Sequence, residues 1–316
     1  MSAYIGRRLL TMVPVVVLVS MIAFGIVLLL PGDMALAILG EQAARDEVRY
    51  QALREQLGLD RPVAVRYAEW ALGAVRGEFG TSMRTGEPVG SSVLRRLVPT
   101  LQLTIMSLFI ALVVALPIGI ISAVRRGSWF DTIGTVFALS GLAIPNFWLG
   151  ILLIFVFAVW LRWLPPSGYV PFVEAPWRSM SLMLMPALAL ATGLMAIVLR
   201  QVRSAVLEVM REDFVNTARS KGLSERRVIN KHALRNALIP VVTVIGMQLG
   251  RLFGGAVTVE IVFSIPGMGR LAVDSIYFRD FATLQAIMLV TALAVLAASL
   301  IADILYAYLD PRIRYG

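Results

Sequence analysis

The sequence of 316 residues contains no cysteine and a single histidine, His232. The lack of cysteine excludes disulfides, thiolate metal sites and a cysteine nucleophile. An HExxH zinc motif is also missing, as is the GxxxxGK[ST] loop that cradles nucleotide phosphates. Serine residues in the apolar segments have no histidine or lysine there to activate them. The sequence therefore argues against an enzyme, and no metal, ATP or other cofactor is expected on the chain itself.

Charge is scarce as well, because charged residues make up 16% of the chain and hydrophobic residues 58%, against roughly 25% and 45–50% in soluble domains. Stretches of 21 to 30 residues carry no charge at 9–32, 97–124, 132–161, 179–199 and 281–302. Each can cross a hydrocarbon layer of about 30 Å as a helix. A sixth stretch, 236–269, is apolar apart from Arg251 and Glu260. We therefore predict an all-α polytopic membrane protein with six transmembrane helices in a single domain, residues 1–316.

The charges that are present have an uneven distribution. The net charge is +9, from 29 basic and 20 acidic residues, and in a soluble protein it would suggest nucleic acid. Here the segment 200–238 is strongly basic, whereas 31–98 is neutral, with nine arginines against nine acidic residues. The positive-inside rule then places both termini and 200–238 in the cytoplasm and 31–98 outside. The expected partner is a lipid bilayer, with no nucleic acid.

The N-terminus imitates a secretory signal, because Arg7 and Arg8 precede an apolar stretch and Ala35-Leu36-Ala37 resembles a cleavage site. The apolar stretch has 24 residues, whereas a signal core has roughly 7–15. We therefore expect it to remain as the first transmembrane helix.

The segment 31–98 contains a charged stretch, 41–57, that predicts a surface helix ended by Gly58, with Pro62 beyond it. A turn-rich connector follows at 77–82. The segment is too small and too polar for a large core. We expect it to lean on the membrane helices or on a partner, and a passive connecting loop is the alternative.

The cytoplasmic segment predicts two short helices around a glycine. Asp213 is the expected cap of the first, over 214–221, which ends at Gly222. Ser224 is the expected cap of the second, over 225–237, before Pro240. Helical spacing gives the first helix a narrow face of Phe214, Thr217, Ala218 and Lys221. Such a face suits close approach by another protein, and a basic elbow lying on anionic lipid is the alternative.

The fifth span carries Gly246, Gly250 and Gly254 at intervals of four, a pattern that lets helices pack closely. A crossing at a subunit boundary would bring the polar side chains of this span near a shared pathway; they are Gln248, Arg251 and Glu260. In the third span, Pro145 within 141–148 predicts a bend.

Arg251 lies about 15 Å into the fifth span, near the expected centre of the membrane. An intramembrane arginine indicates a functional position by default. The alternative is a structural arginine paired with backbone carbonyls or with a carboxylate such as Asp303.

The cytoplasmic segment also carries a family resemblance. Residues 212–223 (EDFVNTARSKGL) and 232–240 (HALRNALIP) resemble the EAA loop of bacterial ABC-importer permeases, of the dipeptide, oligopeptide and nickel group. Further similar stretches lie at 56–60, 77–82, 145–150, 254–257, 263–269 and 310–315. The match to the general EAA pattern is partial: Asn216 and Thr217 replace its first two residues, whereas Ala218 and Gly222 match.

The resemblance implies a type I ABC-importer permease in the inner membrane. It implies that the first elbow helix is the coupling helix, with contacts to an ATPase at Glu212, Asp213, Phe214, Thr217, Ala218, Lys221 and Gly222. It also implies a homologous second permease, two ABC ATPase subunits that bind ATP and Mg, and an extracytoplasmic substrate-binding lipoprotein that docks on 31–98. Residues Gln248, Arg251 and Glu260 are then candidates for the translocation path.

Within this resemblance we expect di- or oligopeptides as the substrate, with glutathione, a nickel chelate and haem as the alternatives. Two other classes remain as alternatives. One is a secondary transporter without an ATPase, which few intramembrane titratable groups and the lack of paired repeats disfavour. The other is a membrane scaffold that uses the elbow as a protein-docking site.

Overall fold

The computed structural model describes residues 2–29, 35, 46–56 and 58–309. The described part is helical, with one isolated antiparallel bridge between Thr81 and Pro88. The helices in the first half of the chain are α1 (Ser2–Leu29), α2 (Glu47–Gln56), α3 (Val63–Val75), α4 (Val89–Val124), α5 (Trp129–Ala143) and α6 (Asn146–Leu153). Those in the second half are α7 (Pro176–Val209), α8 (Asp213–Ser220), α9 (Glu225–Arg227), α10 (Leu234–Val262), α11 (Met268–Tyr277) and α12 (Phe281–Leu309). Two π-helical segments, Ile154–Trp160 and Val228–Ala233, extend α6 and α9.

Six membrane spans were predicted, and the structure confirms this fold class. Among the residues that the structure describes, five helical stretches are long and apolar enough to cross a membrane: Gly6–Leu28, Val89–Val124, Pro176–Val209, Glu225–Val262 and Phe281–Leu305. A bent pair, Trp129–Ala143 with Asn146–Trp160, meets the same criteria and makes six when it is counted as one broken span.

The bend in this third span confirms the prediction made from Pro145. The two halves meet at an angle of 105°. Ile144 is extended, with φ −87° and ψ 121°, and α6 begins directly after Pro145. The cause is steric, because a proline ring pushes the residue before it out of the helical region. Pro117 and Pro186, by contrast, lie inside continuous helices.

The described residues divide into two compact units, one containing 2–6, 99–269 and 295–309, the other 7–29, 35, 46–56, 58–98 and 270–294. The core of the first is α7, which is 72% buried over its most apolar window, whereas the other unbroken spans are at most 28% buried. It packs against α5, α6 and α10. Small residues permit this: a Cβ on Gly141 would lie 3.1 Å from the Thr192 carbonyl oxygen. The unbroken spans other than α7 thus expose apolar surface suited to lipid or to other subunits.

The glycine ridge of α10 packs within the first unit, in line with its sequence pattern. A Cβ on Gly246 would lie 2.6 Å from the Ala302 Cβ, and one on Gly250 would lie 3.2 Å from Val295 Cγ1. Gly254, the third member, has nothing within 4 Å. The first two glycines therefore seat α10 against the second half of α12.

The different surroundings of Gly246 and Gly254 predict opposite effects of alanine substitution on stability. Gly246→Ala is expected to destabilise the purified chain by about 1–3 kcal/mol, because overpacking forces the helices apart. Gly254→Ala is the matched control and should leave thermal unfolding unchanged or slightly improved, since alanine favours helices by about 1 kcal/mol over glycine. Equal melting temperatures for the two variants in detergent would contradict the packing.

In the second unit the described part of the segment 31–98 packs on the first span through α3, and packing on the membrane helices was one of the two expectations for this segment. The Tyr67 hydroxyl lies 2.7 Å from the Ser20 hydroxyl. Phe24 packs against Tyr67 and Trp70, both on α3, with ring centroids 5.7 Å apart in each case. Aromatic contacts of this kind add to the burial energy, so they fix α3 against α1.

The helix predicted over 41–57 is observed as Glu47–Gln56, and residues 41–45 and 57 lie outside the described residues. Gly58 follows it with a φ of +64°. This left-handed conformation favours glycine and confirms the predicted end of the helix. The predictions that involve Leu36, Ala37 and residues 310–315 also fall outside the described part.

Candidate functional site

The candidate coupling helix is α8, which begins one residue earlier than predicted. Its first helical residue is Asp213, and the capping position belongs to Glu212, with φ −72° and ψ 147°. Neither the predicted Asp213 cap nor a side-chain bond from Glu212 is present at this terminus. Two carboxylates at the first turn are still favourable, since the N-terminal end of a helix dipole is positive.

The other end of α8 is fixed by a Schellman motif, which confirms Gly222 as the stop. The Leu223 N–H donates to the Ala218 carbonyl at 3.4 Å, and the Gly222 N–H donates to the Arg219 carbonyl at 2.9 Å. Gly222 has a φ of +74°, where side chains are strained. Glycine is therefore needed here for the backbone turn, although the space around it is open.

Gly222→Ala is expected to cost about 1–2 kcal/mol through the left-handed backbone alone. The expected result is a frayed end of α8 and reduced coupled transport with unchanged amounts of chain in the membrane. Gly222→Asn tolerates this conformation better and should retain more transport than alanine. Equal transport by all three proteins would show that the turn does not matter.

The inner face of α8 packs on the chain itself. Val215 and Ala218 are buried together with Val228, and Val209 and Leu223 pack against them. The predicted face of Phe214, Thr217, Ala218 and Lys221 is therefore divided in the structure, because Ala218 is buried on the inner side of the helix. Its spacing from Val215 places Ala218 on the side that covers this small core, which leaves its methyl group inaccessible to a docking partner.

The outer face of α8 is exposed at Phe214, Thr217 and Lys221. Phe214 keeps 41% of its surface accessible. The Thr217 hydroxyl donates to the Asp213 carbonyl at 2.8 Å. Exposed aromatic and aliphatic groups on a short, anchored helix suit insertion into a groove.

An ion pair links α8 to the segment that follows it. Arg219 donates two hydrogen bonds to the Glu225 carboxylate, at 3.2 and 2.7 Å. The bond to Glu225 raises the pKa of the Arg219 guanidinium above its usual value. The pair is largely exposed, so it contributes little to stability.

The second predicted elbow helix is not a separate element. It consists of α9, of three residues, followed by the π-helical segment and then directly by α10. Ser224 occupies the capping position without a side-chain bond, and Pro240 lies inside α10 instead of ending a helix. The coupling segment thus continues into a membrane span without an intervening loop.

A feature that sequence inspection did not reveal is a buried ion pair between α5 and α7. Arg203 donates to both oxygens of Asp131, at 2.6 and 2.9 Å. The Gly127 N–H donates to the same carboxylate at 3.0 Å. Side-chain exposure is 9% for Asp131 and 27% for Arg203. The pair joins the two spans ten residues before α8 begins.

The candidate pathway residues of α10 do not form one cluster. Gln248 is partly buried and Arg251 is exposed, whereas Glu260 is completely buried. Arg251 and Glu260 are nine residues apart, which places them on opposite faces of a helix with 3.6 residues per turn. Gln248 and Arg251 therefore lie near one another on the helix surface, whereas Glu260 is buried on the opposite face.

Glu260 instead belongs to a packed hydrogen-bond network. The Thr100 hydroxyl donates to its carboxylate at 2.5 Å, and the Met268 N–H donates to the Thr100 oxygen at 2.8 Å. A Cβ on Gly267 would overlap the Glu260 carboxylate, and one on Gly269 would lie 2.6 Å from the Val257 Cα. This network ties the turn after α10 to α4. Within the described ranges, no group of three or more acidic or histidine side chains is placed to hold a metal ion.

Comparison with known protein families covers nearly the whole chain. Residues 115–315 match the family described as the binding-protein-dependent transport system inner membrane component, and residues 1–104 match the N-terminal part of such membrane components. The chain is 39% identical to a dipeptide transport system permease protein of Alkalihalophilus pseudofirmus, over the full length of both. It is 42% identical to a glutathione transport system permease protein of Escherichia coli strain K12, again over the full length of both.

Solved structures support the same fold. An inward-facing structure of the MetNI methionine ABC transporter aligns with a TM-score of 0.56 and 19% identity, and covers 69% of this chain and 96% of the compared chain. An amino acid ABC transporter crystallised with histidines aligns with a TM-score of 0.53 and 15% identity, and covers 69% and 94%.

Proposed function

The chain belongs to the family of binding-protein-dependent transport system inner membrane components, and from this we propose that it imports di- or oligopeptides as part of an ATP-driven complex. It is a transport permease of the multi-pass inner-membrane type, and it does not itself catalyse a reaction. The observation that supports a peptide substrate is the full-length relationship, at 39–42% identity, to permeases named for dipeptide and glutathione transport.

Permeases of this family operate with an ATPase and a substrate-binding protein. In the arrangement we propose, the chain pairs with a homologous second permease, and two ABC ATPase subunits bind ATP and Mg. Its termini and the segment 200–238 face the cytoplasm, and 31–98 lies outside, where a binding lipoprotein docks. The neutral charge of 31–98 and the basic character of 200–238 support this orientation.

The ATPase contact in this proposal is the outer face of α8, with Phe214 as the central side chain and Thr217 and Lys221 beside it. Glu212 and Asp213 lie at the same end of the helix. The inner face at Val215 and Ala218 holds α8 on the permease. A force applied to Phe214 therefore acts on an anchored helix, which is the requirement for coupling ATPase closure to movement of the spans.

The force then passes to the spans through one covalent link and one noncovalent link. The segment after α8 continues into α10 without a loop. Before α8, the Asp131–Arg203 pair fixes the end of α7 to α5. The two sides of the coupling segment thus reach different spans, so a shift of α8 becomes a rigid-body movement of the bundle.

For the translocation path, the proposal keeps Gln248 and Arg251 and assigns Glu260 to the packing network described above. Arg251→Leu is expected to lower peptide transport about tenfold, because a charge-assisted hydrogen bond to a peptide carboxylate is lost. Since Arg251 is exposed, assembly with the ATPase should be unchanged. Arg251→Lys keeps the charge and should recover part of the transport. Failure of the leucine variant to assemble would instead make Arg251 a structural residue.

The substrate can be tested by reconstitution of the complete complex with its binding protein in proteoliposomes. Uptake of a labelled dipeptide is expected to require ATP on the side of the membrane that carries the ATPase subunits. Glutathione is the second candidate substrate because of the 42% identity to a glutathione permease. A nickel chelate and haem, the remaining candidate substrates, are tested in the same uptake assay. Accumulation of only one of these last two would overturn the peptide assignment.

The same preparation distinguishes the alternative classes. An importer requires copurified ATPase subunits and substrate-stimulated ATP hydrolysis. Uptake by the chain alone, driven by an ion gradient, would indicate a secondary transporter. A stable complex without any solute uptake would indicate a scaffold.

A further inference from the structure

The second unit contains a polar cavity of about 240 Å³ that the coupling helix and the candidate pathway residues do not explain. Its walls are two stretches far apart in the sequence, 82–96 and 271–283. In the proposed orientation, the first belongs to the extracytoplasmic segment and the second leads into the last span. The cavity is slightly below the roughly 300–1,000 Å³ of ordinary small-molecule pockets, which limits its occupant to a small solute.

Asp280 lines this cavity and connects its two walls through hydrogen bonds. It is 3% exposed, and its carboxylate accepts hydrogen bonds from the Ser82 hydroxyl at 2.5 Å and the Thr283 hydroxyl at 2.8 Å. The Met83 N–H donates to it at 3.3 Å. Because these donors come from both walls, Asp280 joins them into one preformed site. Its hydrogen-bonding capacity is used in this role, so the ligand contacts must come from other side chains.

Two side chains of opposite charge are available for such contacts. Arg84 lines one wall, and its guanidinium lies 5.0 Å from the centroid of the Phe278 ring. That contact orients the guanidinium without neutralising it. Asp274 lines the other wall and is partly buried. In the part of the chain that the structure describes, neither side chain makes an ion pair or a polar hydrogen bond, whereas their neighbour Arg95 pairs with Glu87 at 2.6 Å.

We propose that this cavity is a substrate subsite for a zwitterion, a short peptide with free termini, in which Asp274 receives the ammonium group and Arg84 the carboxylate. An anionic solute would be repelled by Asp274 and Asp280, and a cationic solute by Arg84 and Arg96, which also lines the cavity. A zwitterion satisfies both walls through charge-assisted hydrogen bonds. The inference rests on the peptide function proposed above and gives it a location where the incoming peptide first contacts the permease.

The test uses the purified membrane complex without its binding protein, in lipid nanodiscs, and measures the binding of alanylalanine by calorimetry. Arg84→Gln and Asp274→Asn are each expected to weaken binding about tenfold or more, since hydrogen bonds to charged groups contribute about 1.5–3 kcal/mol. The same dipeptide with an acetylated amino terminus and an amidated carboxyl terminus should bind no more tightly to the wild type than to the variants.

Controls separate the subsite from folding and from the broader function. Arg61→Gln removes an exposed arginine of the same unit, paired with Glu69, and should leave binding unchanged. Arg84→Lys and Asp274→Glu keep the charges and should restore part of the affinity, which a folding defect would not allow. One possible result is that the wild-type complex with its binding protein transports the dipeptide, while Arg84→Gln and Asp274→Asn bind the dipeptide as tightly as the wild type does. The cavity is then not a peptide subsite, and the peptide function stands. If no peptide is transported, the proposed function itself fails.

Discussion

Asp131→Ala is expected to destabilise the chain by about 3 kcal/mol, at the low end of the cost of breaking a buried ion pair. The low end applies because Arg203 keeps 27% of its side chain exposed. The substitution leaves the Arg203 guanidinium and the Gly127 N–H without the carboxylate that they contact. Loss of both partners is less costly than loss of one. The double variant Asp131→Ala/Arg203→Ala should therefore be more stable than the sum of the two single changes predicts.

Thermal unfolding of the detergent-purified variants measures this coupling as a double-mutant cycle. The matched control is the Arg219–Glu225 pair, which has the same bidentate geometry on the surface. Arg219→Ala should cost less than about 1 kcal/mol, as exposed ion pairs do. If Asp131→Ala and Arg219→Ala proved equally mild, or if the double variant were simply additive, the Asp131–Arg203 pair would have no role as a link between α5 and α7.

Phe214→Ala is expected to reduce ATP-dependent transport by more than about tenfold with little change in the stability of the permease. The reason is that Phe214 is 41% exposed and lies on the outer face of α8, where its ring has no part in the small core under the helix. Hot-spot aromatic residues contribute about 2 kcal/mol or more when they fill a partner's pocket. The loss should therefore appear as weaker retention of the ATPase subunits during purification and as lower transport.

A second aromatic truncation serves as the control. Phe172 lies in the loop before α7 and is 50% exposed, and Phe172→Ala should leave ATPase retention unchanged. Wild-type retention and transport by Phe214→Ala would remove Phe214 from the coupling contact. A fall in melting temperature would show instead that Phe214 supports the fold.

The spans could be predicted because five contain long charge-free stretches and the sixth is apolar apart from Arg251 and Glu260. The bend was predictable because Pro145 disfavours the helical conformation of the residue before it. Gly222 was predictable for a related reason: a helix that ends with a left-handed residue selects glycine. Such features depend on neighbours in the sequence. They need no knowledge of which helices pack together.

Features that depend on distant residues were not predictable. Asp131 looks like a cytoplasmic surface charge in the sequence, and only the packing of α5 on α7 places it against Arg203. Glu260 was assigned to the pathway because a charge within a span signals function, yet Thr100, 160 residues away, holds it in the core. Ala218 was assigned to the docking face because helical spacing groups it with Phe214. The burial of Val215 and Val228 decides that Ala218 faces inward.

The helix ends were also harder to predict than the helices. Asp213 and Glu212 are both good capping residues, and the sequence cannot decide between adjacent candidates when neither forms a side-chain bond. Pro240 suggested the end of an elbow helix. A proline is tolerated inside membrane helices, however, where local π-helical or other adjustments satisfy the released carbonyl groups.

Docking of the outer face of α8 on an ATPase subunit can be detected by cysteine cross-linking, because the native chain has no cysteine. Single cysteines at Thr217 and at Ala218 are adjacent in sequence, but Thr217 is exposed and Ala218 is buried. Thr217→Cys is expected to cross-link to a cysteine in the ATPase groove in a nucleotide-dependent manner, whereas Ala218→Cys is not. If assembled complexes give no cross-link from Thr217→Cys in any nucleotide state, or equal cross-linking from both positions, the outer face of α8 is not the docking surface.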